Sequence, residues 1–255
     1  MNLKYLSKSL IKTLYKNLNF NSTSYNFRTL MYHSIVKDNL EYINRNIWKL
    51  NYNLFKDHIY FLKKNYSIYK TDFLIKKIPL DGICITFDDA FEDCYSLAAP
   101  FLFELNVPFS IFVVSNFIKD KKNGYINKKM LIELSNNKLV TVGSHSKNHY
   151  NLSKCNLETI NNEVLGSKKF LEDIIGKEVK IFSYPHGSYN KKVTDIVMNA
   201  NYKLAFTSNF KYNSQNDNKF LLNRNEIWNT DNLETLKEKL NGDWDWLIYK
   251  KMLKN

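Results

Sequence analysis

Four short apolar runs constrain the fold of this chain most: GICITF at 82–87, FSIFVV at 109–114, LVTVG at 139–143 and VKIFS at 179–183. Apolar residues dominate each run instead of alternating strictly with polar ones. Such runs read as strands covered on both faces, the environment of a parallel sheet flanked by crossover helices. Helical periodicity fills the intervals. Residues 53–65 carry Phe55, Ile59 and Leu62 on one face, and 91–105, 127–136, 191–199 and 233–240 also read as helices. The helix predicted over 156–175 is closed by Gly176. Further strands are predicted at 27–35, 203–207 and 221–227. The alternation predicts an α/β fold with a parallel sheet, in which ligand sites gather at the carboxyl ends of the strands.

The 255 residues, 44% hydrophobic, suffice for one substantial core, and the scattered 7 Gly and 4 Pro mark no linker. Residues 1–24 stand apart. Leu3, Leu6, Leu10, Leu14 and Leu18 form one helical stripe while Lys4, Lys8, Lys12 and Lys16 gather on another side. This predicts a basic amphipathic helical extension ahead of a main domain at 25–255. Two readings of it stay open, packing against the domain or peripheral contact of residues 1–20 with an anionic membrane surface. The net charge of +12 would suit a polyanion. Its lysines, however, are spread among Asn and Ile along the whole chain without a nucleic-acid-binding motif, so no nucleic-acid partner is expected. Cys84, Cys94 and Cys155 form neither a fully paired set nor a C-x-x-C motif. With no continuous signal-like or membrane-spanning apolar run visible, the expected location is cytoplasmic.

Polar clusters follow the predicted strands. Asp88 and Asp89 close the first apolar run, and Ser144-His145-Ser146-Lys147-Asn148-His149 follows the third. An Asp pair after a strand is ordinary turn chemistry when it stands alone, and each histidine alone reads as a loop or core residue. Their joint occurrence at two strand ends favours a metal centre. Adjacent carboxylates repel unless a cation is shared or one serves as a base, and one Asp with two His leaves coordination positions open for hydrolysis.

Together TFDDA, GSHSKNH and SYPHGSYN resemble the motifs of the polysaccharide deacetylase family, also called the NodB-homology domain or carbohydrate esterase family 4. The likeness spans roughly 28–248 and implies a distorted, incomplete (β/α) barrel, with 25–255 as the catalytic domain. It implies Asp88 as general base and Asp89, His145 and His149 as ligands of a divalent metal, zinc by default with cobalt or nickel as substitutes. In the segment Ser183-Tyr184-Pro185-His186-Gly187, Pro185 and Gly187 are expected to shape a tight loop, and the resemblance implies that the N–H at His186 helps bind the oxyanion. Ser183 stands where most of the family has Arg, a departure shared with a branch whose motif reads YPYG. Arg224, in LNRNEI at another strand end, is a candidate for the missing charge, against the plainer reading of a surface ion pair. No histidine follows His186 to supply the family's late acid. Met31-Tyr32-His33-Ser34-Ile35 resembles the Y-H-x-I segment of a circularly permuted branch, which implies His33 as the acid.

The resemblance implies a hydrolase acting on a carbon–nitrogen amide bond, removing N-acetyl from an aminosugar in a glycan, glycoconjugate or lipid-linked sugar. O-acetyl esters, small acyl amides and a catalytically silent carbohydrate-binding domain are the alternatives. His58 shares its helical face with Phe55, Ile59 and Leu62 and reads as packed; Tyr125, Trp228, Trp244 and Trp246 read as packing residues before sugar-stacking ones.

Overall fold

The computed structural model describes residues 26–37 and 46–252. The helical extension expected at 1–24, with its two readings of packing or membrane contact, lies outside the described residues. Strands β1 (Asn26–Tyr32), β2 (Ser34–Val36) and β3 (Lys49–Asn51) lead into helix α1 (Tyr52–Asn65), which Asn51 caps by accepting from the Asn53 N–H. The short α2 (Phe73–Lys76) precedes β4 (Asp81–Phe87). Then follow α3 (Ala99–Glu104), β5 (Phe109–Val113), α4 (Ser115–Lys119), α5 (Lys128–Asn136) and β6 (Val140–Ser144). The long α6 (Leu157–Ile175) ends on Gly176 at φ 66°, the left-handed cap the sequence predicted. The remainder is β7 (Ile181–Ser183), α7 (Lys191–Asn199), β8 (Leu204–Phe206), β9 (Asn225–Glu226), α8 (Leu233–Asn241) and α9 (Leu247–Met252).

Seven strands form one sheet in the order β8-β7-β6-β5-β4-β1-β9. Every pairing in it is parallel. The sheet curls into the distorted, incomplete (β/α) barrel of the NodB type. One segment spans the gap between its ends: the Thr207 N–H donates to the Leu222 carbonyl beside β8, and a few residues later β9 pairs with β1.

Period-two alternation sorts the side chains. Ile83, Ile85 and Phe87 face the helices in the main core, whereas Cys84 joins Phe27, Phe112, Ile181, Leu204, Phe206 and Leu222 in a second cluster inside the barrel. Gly143 on β6 makes room for that interior. A Cβ there would lie 2.5 Å from the Phe112 ring and 2.7 Å from Ile181.

Three predicted elements differ. The strand expected at 27–35 breaks at His33, because β2 leaves the main sheet to pair with β3. The helix expected at 91–105 contains a π turn at Cys94–Ala98, where the Ala99 N–H reaches back to the Cys94 carbonyl just ahead of Pro100. Proline has no N–H to donate, and a widened turn absorbs the break. The strand expected at 221–227 shrinks to Asn225–Glu226, since residues before it bond toward β8 instead. Among the described residues, no helix is long and apolar enough to cross a membrane.

Candidate active site

Asp88 follows β4 by one residue, on the inward side of the alternation, and its N–H donates to the Tyr32 carbonyl at 3.0 Å. It is 3% exposed and meets Arg224, which is fully buried. The guanidinium grips it as a fork, Nη1 to Oδ1 at 2.6 Å and Nη2 to Oδ2 at 2.8 Å. Nε donates to the Thr207 carbonyl at 2.8 Å, and the plane lies 5.3 Å from the Phe112 ring centroid and 5.9 Å from that of Phe206. Ser183 completes the group. Its hydroxyl donates to Asp88 Oδ2 at 3.1 Å and accepts from Arg224 Nη2 at 2.8 Å. Burial pushes the Asp88 carboxyl up, but Arg224 and then His145 outweigh it and hold the group below the usual carboxylate range. The plainer reading of Arg224 as a surface ion pair is therefore corrected: it comes from the chain segment that closes the barrel and occupies the interior beside the small Ser183.

A second cluster adjoins the first. Asp89, His145 and His149 offer ligand atoms that all lie within 4.8 Å of one another. His149 Nε2 is 3.3 Å and His145 Nε2 3.6 Å from Asp89 Oδ1, and the two imidazole nitrogens are 3.1 Å apart. Bonds of ~2.0–2.1 Å to one tetrahedral cation separate its ligands by roughly 3.3 Å, so the spacing fits a single metal ion. Asp89 Oδ1 is buried and has no hydrogen-bond donor among the described residues, which also fits a cation. His145 Nδ1 lies 2.8 Å from the Ser183 carbonyl, so it carries the proton and leaves the Nε2 lone pair facing the cluster. Burial first, then the neighbouring His145 and His186, push the His149 imidazole down to about 2, keeping it neutral.

The loops that carry these groups are conformationally strained. Asp89, Ala90, His149 and His186 all have left-handed backbone, with φ of 67°, 57°, 63° and 58°. Asp tolerates this region better than Ala does, and strain of this kind concentrates where surrounding structure over-determines a site.

A cavity of about 330 Å³ gathers most of the residues singled out in the sequence: His33, Asp88, Asp89, His145, His149, His186, Gly187 and Arg224. Pro185 is buried just behind, in the turn where the Gly187 N–H donates to the Tyr184 carbonyl. The His33 ring lies 4.7 Å from that of Trp48, and its Nδ1 is buried without a partner among the described residues. Burial lowers its affinity for a proton, opposed by the charges of Asp88 and Asp89. His58 is packed as expected, bonded to the Asp231 carbonyl. Trp246 is buried, and Trp228 and Trp244 close over Lys239, so these aromatics are chiefly packing residues.

Trp48, Tyr184 and Glu226 line the same cavity without having been singled out for it. For Glu226 a signal existed: it lies two residues after Arg224, on the same side of an extended segment.

A parallel barrel with a carboxylate–imidazole cluster at its strand ends is the frame of a hydrolytic α/β enzyme. The sequence model described as polysaccharide deacetylase matches residues 76–205, half of the chain. The chain belongs to the polysaccharide deacetylase family, a family of hydrolytic enzymes. It is 25% identical over 197 residues to a Bacillus subtilis protein named as a polysaccharide deacetylase, YxkH, covering 76% of this chain and 69% of that one. It is 27% identical over 180 residues to the poly-β-1,6-N-acetyl-D-glucosamine N-deacetylase of Staphylococcus aureus. That match covers 66% of this chain and 58% of the relative, leaving much of the relative's length outside it. Among solved structures, the Streptococcus pyogenes deacetylase PplD in complex with acetate superposes with a TM-score of 0.77 at 23% identity, over 84% of this chain and 97% of that one. IcaB from Ammonifex degensii gives 0.74 at 18% identity, over 86% and 97%. These two likenesses show the shared fold.

Proposed function

We propose that this chain is a metal-dependent deacetylase that removes an N-acetyl group from an aminosugar of a glycan or glycoconjugate. The observation that carries the reading is the buried Asp88–Arg224 fork set directly beside the Asp89-His145-His149 cluster in one cavity. A bound divalent ion, zinc by default with cobalt or nickel as substitutes, supplies a Lewis acid that acidifies water and polarises the acyl carbonyl.

The protein's own groups do the rest. Asp88, held ionised and oriented by Arg224 and Ser183, takes the proton of the attacking water. Asp89, His145 and His149 hold the ion. The turn of Pro185, His186 and Gly187 borders the carbonyl side, where the His186 N–H stabilises the oxyanion. His33, packed against Trp48, returns a proton to the nitrogen as the C–N bond breaks. The N-acetylglucosamine polymer named for the Staphylococcus aureus relative supports an acetylated glycan as substrate.

Acetate release from a panel of N-acetylated and O-acetylated saccharides, by zinc- or cobalt-loaded protein, tests the reading. Release from N-acetylated members that falls by ~10²–10⁴-fold in Asp88→Asn is expected for loss of a general base. Stoichiometric metal binding without release from any saccharide would refute it and favour a silent binding domain.

A further inference from the structure

A third carboxylate, that of Glu226, lines the cavity beside Asp88 and Asp89. We propose that Glu226 is a specificity-determining residue that receives the amino group of the product, tuning the site for amides over esters; the inference rests on the deacetylase reading and deepens it. Glu226 sits on β9 directly beside Met31 of β1 in parallel register, so their side chains share a face. His33 lies two residues beyond Met31, and all three line the cavity. Glu226 and His33 therefore border one cavity of about 330 Å³, in which a single leaving group would meet both.

The other two carboxylates belong to the groups already described. Asp88 is ionised and paired with the Arg224 fork, and Asp89 faces the imidazoles of His145 and His149. Glu226 belongs to neither group. It is held from behind, Oε2 accepting from Trp228 Nε1 at 2.7 Å and its carbonyl from Lys239 Nζ at 2.7 Å. The indole N–H fixes the direction of the carboxylate.

The chemistry gives this anion a selective role. Amide hydrolysis adds water across the C–N bond, giving acetate and an amine that takes up a proton to become ammonium. Ester hydrolysis adds water across the C–O bond and leaves a neutral alcohol. A fixed carboxylate beside the leaving group stabilises the first product and the positive charge growing on its nitrogen, and does nothing comparable for the second.

The test uses the metal-loaded full chain, matched N-acetyl and O-acetyl oligosaccharides, and the isosteric Glu226→Gln. The expected result is a drop of about tenfold in kcat/KM on the N-acetyl substrate with less than about twofold change on the O-acetyl one. A glucosamine oligomer, the amine product, should bind Glu226→Gln about tenfold more weakly by calorimetry, and Trp228→Phe should shift both quantities the same way by less. Equal losses on both substrates, or unchanged amine binding, would overturn the role of Glu226. Selective amine binding by the native chain with no acetate release from either substrate would sink the deacetylase reading and leave the Glu226–ammonium pairing standing.

Discussion

Arg224 is the residue whose removal tests the site's internal logic most directly. Its guanidinium makes contacts to Asp88, Ser183 and the Thr207 carbonyl between 2.6 and 2.8 Å, all with buried partners. Arg224→Met keeps most of the stem between Phe112 and Phe206 while deleting the charge. Asp88 is then left ionised, buried and without its counter-charge, a situation that costs about 3–5 kcal/mol when one member of a buried pair is removed. For a domain of this size each kcal/mol moves Tm by ~2–4 °C, so the melting temperature should fall by roughly 6–20 °C. The double variant Arg224→Met with Asp88→Asn removes both charges and should recover part of that loss, a positive coupling of about 2 kcal/mol or more. Ser183→Ala should cost only about 1 kcal/mol, since it removes neutral-hydroxyl bonds and leaves the fork intact. Urea unfolding of the native chain, these three variants and Asp88→Asn alone, with chelator present to remove metal effects, supplies the numbers. A loss under about 1 kcal/mol for Arg224→Met would mean that the pair behaves as an exposed surface bridge and would refute the reasoning.

Other outcomes follow from particular contacts. Gly143→Ala forces a methyl against Phe112 and Ile181 and should destabilise by about 1–3 kcal/mol, with Phe112→Leu in the same chain restoring part of it by urea unfolding. Ala90→Gly relieves left-handed backbone at φ 57° and should stabilise by about 1 kcal/mol, visible as a higher Tm. Burial first, against the bonds from Ser34 and Ile35, pushes Asp93 up from 3.8 to about 6. The native state then binds more protons than the unfolded one between those values, so this contribution is full below pH 3.8 and is lost as pH rises through 6. Asp93→Asn should therefore gain up to about 3 kcal/mol over the native chain at pH 8 and little at pH 3.5, read from unfolding curves at the two values. Zinc at a hundredfold excess over its Kd should stabilise the chain by about 2.7 kcal/mol, and His145→Ala with His149→Ala should abolish the shift.

The sequence was most legible where one residue type admits one environment. Continuous apolar runs located four of the seven sheet strands because only burial on both faces tolerates them, and β5 begins and β7 ends as the pattern predicts. Boundaries were lost where tertiary bonding overrides local preference. The MYHSI segment is apolar enough to continue as a strand through His33, yet Ser34 bonds the Trp48 carbonyl and Asp93 takes both the Ser34 hydroxyl and the Ile35 N–H. Nothing local in the segment encodes those distant partners.

The same division governs the site. Asp88, Asp89, His145 and His149 were legible because each follows a recognisable strand end, and a curled parallel sheet gathers its strand ends on one side, here across the intervening β5. Arg224 was legible only as a charge in search of a partner, since its place depends on how residues 219–226 cross from β8 to β1. Ser183 shows why that crossing matters. A long cationic side chain at position 183 would compete for the space that the Arg224 guanidinium fills beside Asp88, so a small residue on β7 and an arginine on the closing segment form one solution to one electrostatic problem. It follows that Ser183→Arg in the native chain should set two guanidiniums against one carboxylate and destabilise it, whereas Ser183→Arg combined with Arg224→Ser transfers the charge to the other strand and should recover stability relative to either single substitution. Failure of the pair to recover anything would mean that the position of the arginine, and not merely its charge, is fixed by the closing segment.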